Sequence, residues 1–114
     1  VPRFMVINMP PVNEETLSRL LESAFPDVKK EPLRQLCGLF LDLQTKAKNG
    51  EISTKAIDLR GLMGALKMMR GGLAPLKAVN MGITNKSFDG FEREMIADIV
   101  MTRIPASWTS KDVF

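Results

Sequence analysis

The sequence predicts an all-α protein, a small helix bundle of about five helices preceded by a short N-terminal extended segment. Three observations carry that prediction. Apolar residues recur at helical spacing along most of the chain after Pro11. N-capping residues open these stretches, and Pro or Gly closes them. The joints are short, as in a bundle.

Residues 1–12 form the exception. Phe4-Met5-Val6-Ile7-Asn8-Met9 reads as a short strand, bounded by Pro2 and by Pro10-Pro11. A strand needs a partner for its backbone, so this one is expected to pair outside the chain or to hang as a loose end. Helix one follows with Asn13 as its N-cap and Glu14 and Glu15 at its positive end. Its face is Leu17, Leu20, Leu21 and Ala24, and Pro26 stops it. Helix two is expected to start under an Asp27 cap, to tolerate Pro32 in its opening turns, and to run to about Lys48. Leu33, Leu36, Cys37, Phe40, Leu41 and Leu43 supply its buried face, and Asn49-Gly50 ends it.

Ser53 is expected to cap helix three, whose apolar face is Ala56, Ile57, Leu59, Leu62, Met63, Leu66 and Met69. Gly61 and Gly64 sit inside it. Glycine there costs about 1 kcal/mol against alanine, so close packing against another helix is the expected reason. Gly71-Gly72 ends the helix. A short helix follows from Pro75 to Met81, closed by Gly82. The last runs from Phe88 to Arg103, with Phe88, Phe91, Met95, Ile96, Ile99 and Val100 inward and Pro105 as its stop. The tail carries Trp108 and Phe114, which either dock on the bundle or bind elsewhere.

A chain of 114 residues with 45% hydrophobic content can build one core. Its eight methionines read as filler for that core. The apolar runs are too short to span a bilayer and no signal-peptide pattern opens the chain, so no membrane partner is expected. The lone Cys37, in an apolar helical setting, reads as a buried thiol, and a reducing, cytoplasmic location follows. With no His, a Cys/His metal site and a Ser-His-Asp or Cys-His catalytic set are excluded. There is no Gly-rich phosphate loop either, so no complete active site is expected in these residues. The net charge of +3, with Lys and Arg interleaved with acids, does not argue for nucleic acid.

The stretch Glu51-Ile52-Ser53-Thr54-Lys55-Ala56-Ile57-Asp58-Leu59-Arg60 holds the candidate chemistry. Free backbone N–H groups at a helix start, with cations within two turns, suit an anion. Read blandly, Ser53 and Thr54 cap, Lys55 is solvated, and Arg60 pairs with Asp58 or Glu51.

A short apolar strand led by Arg3-Phe4, a turn, two helices, the Ser53-Thr54-Lys55-Ala56 helix start and a final helical pair together resemble the end of an AAA+ ATPase module. The MoxR-like and related ATPases, whose lid carries a Ser-x-Arg-Ala motif, are the nearest look. The resemblance covers most of the chain. It implies that residues 1–12 are the terminal strand and linker of an ATPase core and that residues 13–114 are the helical lid domain. The phosphate loop and the acidic Mg²⁺-binding strand would then precede Val1.

On that resemblance, ATP with Mg²⁺ is the cofactor of the full-length parent, and none is expected to bind the fragment tightly. Lys55 matches the sensor-two position, reaching the γ-phosphate from the lid, with Arg60 as a possible substitute. The family usually has Arg at that position; Lys offers a point charge without the planar fork. Arg3 matches an arginine finger acting on the neighbouring subunit's nucleotide. The implied partners are the N-terminal core, neighbouring subunits of a homo-oligomeric ring, and a client protein, in related systems one with a von Willebrand A-type domain. The competing reading is a stand-alone helical protein-interaction module that uses the Trp108/Phe114 tail or a Met-rich face. A DNA-binding helical domain is a third, which the mixed charges disfavour.

Overall fold

Asn13 sets the first helix. Its side-chain oxygen accepts the Thr16 N–H at 2.8 Å, and α1 (Glu14–Ala24) begins beneath it. The computed structural model describes residues 13–53, 58–87 and 89–114, the side chain of Lys86 excepted, and these residues are helical with no strand among them. The expected strand at residues 4–9 lies outside the described residues. After α1 come α2 (Lys30–Lys48), α3 (Leu59–Arg70), α4 (Pro75–Gly82), a 3₁₀ turn (Thr84–Lys86), α5 (Gly90–Arg103) and α6 (Ser110–Val113). The all-α bundle is therefore the fold, with a sixth short helix beyond the expected five.

Three helix starts differ from expectation. Helix α2 opens after Lys29, not under Asp27, because the Asp27 carboxylate accepts a hydrogen bond from Arg70, 43 positions away, at 2.8 Å. Helix α3 starts at Leu59 under Asp58, whose Oδ1 accepts the Arg60 N–H at 3.0 Å. Ser53 is not its cap: the Ser53 hydroxyl donates to Glu92 Oε1 on α5 at 2.9 Å. Helix α5 opens at Gly90 under Asp89, whose Oδ1 accepts the Phe91 N–H at 2.9 Å. The helix ends follow the expected chemistry. Gly50 (φ 78°) and Gly72 (φ 114°) adopt the left-handed conformation that lets the chain reverse after α2 and α3.

Helix α2 lies at the centre. It packs on α1, α5 and α6, and its buried residues run from Pro32 through Leu43. Leu36, Leu39 and Leu43 on it, Leu62 and Leu66 on α3, and Ile96 and Val100 on α5 meet in one core. Where α2 crosses α5, Gly38 leaves the space that the Arg103 guanidinium fills: a Cβ at Gly38 would lie 2.6 Å from its Cζ. Arg103 then donates to Asp42 (Nε to Oδ2, 3.0 Å) and to Gln35 (Nη1 to Oε1, 3.4 Å). The hydrogen bond to Asp42, with its charge, raises the Arg103 pKa above its ordinary value, so the guanidinium stays ionised.

Helices α3 and α4 make the closest helix pair. A Cβ at Gly82 would stand 2.5 Å from the Gly61 carbonyl oxygen and 3.3 Å from the Ala65 methyl. Glycine thus serves close packing at this crossing. It does not at Gly64, where an added Cβ would meet nothing within 4 Å.

The tail docks. Lys29 donates from its backbone N–H to the Val113 carbonyl (2.7 Å) and from Nζ to the Lys111 carbonyl (2.6 Å). The Phe114 ring lies 6.1 Å from that of Phe25, and the Arg70 guanidinium sits over both, 4.9 Å from Phe25 and 5.5 Å from Phe114. Trp108 packs against the core. The apolar positions expected inward are not all inward. Phe91 is 80% exposed, Met101 60% and Met81 49%, so the methionines divide between core (Met69) and surface.

Candidate functional site

The segment singled out by the sequence is anchored on both flanks. On one side Ile52 inserts into the core, 6% exposed, and the neighbouring Ser53 is held by Glu92. On the other, Asp58 fixes the first turn of α3 through the Arg60 N–H, and its own carbonyl accepts the Leu62 N–H. Glu92 takes the third position of α5, from which a carboxylate in a capping box turns back to its own helix start. Here one of its oxygens reaches across to the Ser53 hydroxyl instead. Sequence reasoning did not single out Glu92.

Of the three candidate cations, only Arg60 falls among the described residues. Arg3 and Lys55 lie outside them, as do Thr54, Ala56 and Ile57. Arg60 is exposed on the first turn of α3. It does not pair with Glu51, whose carboxylate lies 3.4 Å from Lys46 Nζ. Among the described residues no acid forms an ion pair with the Arg60 guanidinium. A phosphate oxygen fits such a group. The backbone N–H of Arg60 is less suited, because Asp58 already occupies it. Nor do three acidic, Cys or His side chains converge as a metal site among the described residues, so a Mg²⁺ ion would need ligands from elsewhere.

Two concavities lie away from this segment. A groove of about 450 Å³ runs between α1 and α2, rimmed by Glu14, Glu22, Lys30 and Arg34, with Leu33 and Cys37 in its lining. Burial, with the nearby Glu14 and Glu22 carboxylates, pushes the Cys37 thiol up to about 11. It stays protonated near neutral pH and is a poor nucleophile. A shallow depression of about 540 Å³ beside the 3₁₀ turn is lined by Thr84, Gly90, Arg93, Glu94 and Ala97. Thr84 there is buried, and its hydroxyl donates to Asn80 Oδ1 at 2.7 Å. Neither holds a convergent set of reactive groups.

The chain is similar to a curated relative. The uncharacterized protein YojN of Bacillus subtilis (strain 168) is 29% identical over 102 residues, 88% of this chain and 33% of that protein. The chain thus spans about a third of the length of the relative it matches. No family model matches the chain, and no solved structure matches it either.

Charge segregation is the feature that sequence reasoning overlooked. From Leu59 to Phe88 there are five cations (Arg60, Lys67, Arg70, Lys77, Lys86) and no Asp or Glu. The remainder of the chain has eleven cations and thirteen acids. The interleaving noted along the sequence therefore stops at α3, and the α3–α4 pair is cationic throughout. The signal was open to a windowed count and was hidden in the total. Among the described residues, no helix is long and apolar enough to cross a membrane.

Proposed function

We propose that this chain is the helical lid of an AAA+ ATPase of the MoxR-like kind, closing over ATP and coupling its hydrolysis to remodelling or activation of a partner protein. The observation that carries the reading is the opening of α3: an exposed guanidinium, Arg60, without an ion-pair partner among the acids of the described residues, four residues past the Ser53-Thr54-Lys55-Ala56 sequence. The all-helical bundle and the α3–α4 pair without acids support it, since a lid that meets polyphosphate gains from local positive charge. In this reading the ATPase core supplies the phosphate loop and the Mg²⁺ ligands. ATP with Mg²⁺ would supply the transferable phosphoryl group, and Lys55, with Arg60 as its possible substitute, would hold a phosphate oxygen, where fixed positive charge favours transfer. Arg3 would act on the nucleotide of the next subunit of a homo-oligomeric ring, and the client would bind the assembled ring.

The test is ATP turnover by a full-length protein that carries this lid. Lys55→Ala should lower turnover severalfold or more, and Arg60→Ala should do so to a smaller extent. Unchanged turnover in both variants removes this segment from the nucleotide site. These 114 residues alone are expected to hydrolyse nothing, and activity in a clean preparation of them would contradict the lid reading. The interaction-module reading loses its Phe114 contact, because that ring packs against Phe25 beneath Arg70. It gains another in the exposed Phe91 and Met101.

A further inference from the structure

We propose that the outer ridge of α3 receives the outer stripe of α5 from a second copy of this chain, head to tail. The inference concerns different residues from the nucleotide reading and does not depend on it.

On α5, Phe91, Glu94, Asp98 and Met101 are spaced three, four and three apart, so they share one helical face, and all four are exposed. The opposite face of α5 buries Ile96 and Val100 in the core. A solvent-facing stripe of two large apolar side chains around two acids is costly to leave in water. On α3 and its C-cap, Gly64, Lys67 and Gly71 are spaced three and four apart on one face. Gly64 has open space where its Cβ would be, so nothing within the described fold accounts for a glycine there.

The two stripes complement one another in charge and in shape. Lys67, Glu94 and Asp98 have no ion-pair partner among the described residues. Run antiparallel, the two stripes agree over their seven-residue spans and differ by one residue in the middle, three then four on α5 against four then three on α3. This places Phe91 over the bare backbone of Gly71, Glu94 beside Lys67, and Asp98 over Gly64 within reach of the same ammonium group. Large side chains meet positions without side chains, and acids meet a base. The α3–α4 pair has no acid to repel the incoming helix. The two stripes lie on different helices, so the contact is heterologous: it closes into a ring or runs on as a filament. A second copy is favoured over a polyanion because the ridge has few cations and its counterpart stripe presents Phe91 and Met101, which phosphates would not cover.

Sedimentation equilibrium of the chain alone tests this. A contact of one helix on another belongs at the weak end of association, so the series runs to about 1 mM protein at low salt. The weight-average mass should rise with concentration and fall as salt is added. Lys67→Glu, and separately Glu94→Lys with Asp98→Lys, should each weaken association about tenfold or more while leaving the circular dichroism spectrum and melting temperature near those of the parent. Mixing the two variants should restore it, because each supplies the face that the other lacks. Phe91→Ser should weaken it as well. A chain monomeric at every concentration overturns the proposal. So does association that is indifferent to these charges, or a mixture that stays dissociated.

Discussion

Two glycine-to-alanine substitutions on the α3–α4 pair should move stability in opposite directions. At Gly82 the new methyl carbon would stand 2.5 Å from the Gly61 carbonyl oxygen, a backbone atom that cannot swing aside, and 3.3 Å from the Ala65 methyl. Helix α4 must shift away from α3, with an overpacking cost of about 1–3 kcal/mol. Gly82 closes α4, so alanine's helix preference recovers only part of the ~1 kcal/mol available in a helix interior. The net loss is about 1–2 kcal/mol. At Gly64 the methyl enters open space inside α3, and the helix preference of up to about 1 kcal/mol is gained without a clash. Per-residue unfolding entropies put the melting shift at about 4 °C per kcal/mol for a chain of this length. Gly82→Ala should therefore melt about 4–8 °C below the parent, and Gly64→Ala up to about 4 °C above it. Thermal denaturation followed at 222 nm, at a concentration where the chain is monomeric, reads both. Equal shifts, or a Gly82→Ala variant as stable as the parent, would refute the α3–α4 crossing described here.

Asp58→Ala should cost about 1 kcal/mol, the usual loss of an N-cap, whereas Ser53→Ala removes one exposed hydrogen bond and should cost about 0.5 kcal/mol or less in urea unfolding. The reverse order would return the cap of α3 to Ser53. Cys37 should react slowly with a thiol reagent at pH 8 and at the free-thiol rate once unfolded. Because burial raises its folded pKa from the ordinary 9.0 to about 11, its contribution is whole below about pH 9 and is lost as pH rises toward 11. Cys37→Ser should flatten that part of the stability–pH curve. Phe114→Ala removes a half-buried ring from beside Phe25 and Arg70 and should cost about 1–2 kcal/mol, with faster amide exchange at Lys29 as α6 loosens.

Local chemistry was legible where it stays local. Asn13 caps α1, Pro75 opens α4, and Gly50 and Gly72 end α2 and α3, because each acts within its own turn of chain. Two of the three misplaced starts, those of α2 and α3, fail for one shared reason: a competent capping side chain has a partner far along the sequence. Asp27 is engaged by Arg70 and Ser53 by Glu92; α3 then starts under Asp58, and α2 opens after Lys29 with no side-chain cap. Phe91 was misassigned differently. Period 3.6 puts it on an apolar face, but α5 has apolar residues on two faces, and only packing decides which is buried. Of the candidate cations, Arg60 was legible as a surface residue, but a start at Ser53 placed it in the second turn of α3 rather than the first, and its freedom from Glu51 depended on where Lys46 points.

The formal charge of +3 illustrates how a total can conceal a field. It is the sum of a 30-residue stretch at +5 and a remainder at −2, and folding keeps the stretch together because α3 packs on α4. Spread evenly, +3 on a body of this size attracts little. Gathered on α3, α4 and the 3₁₀ turn after them, with Arg70 alone ion-paired to an acid, Asp27, among the described residues, the same charges favour a negative partner there and act over a Debye length of about 8 Å at physiological salt. An anion at the opening of α3 and an acidic helix on its outer ridge would draw on the same field, yet they engage different side chains. Arg60→Ala should therefore impair nucleotide turnover and leave Lys67-dependent association largely intact, and Lys67→Glu should do the reverse. Loss of both properties in either single variant would mean one site rather than two.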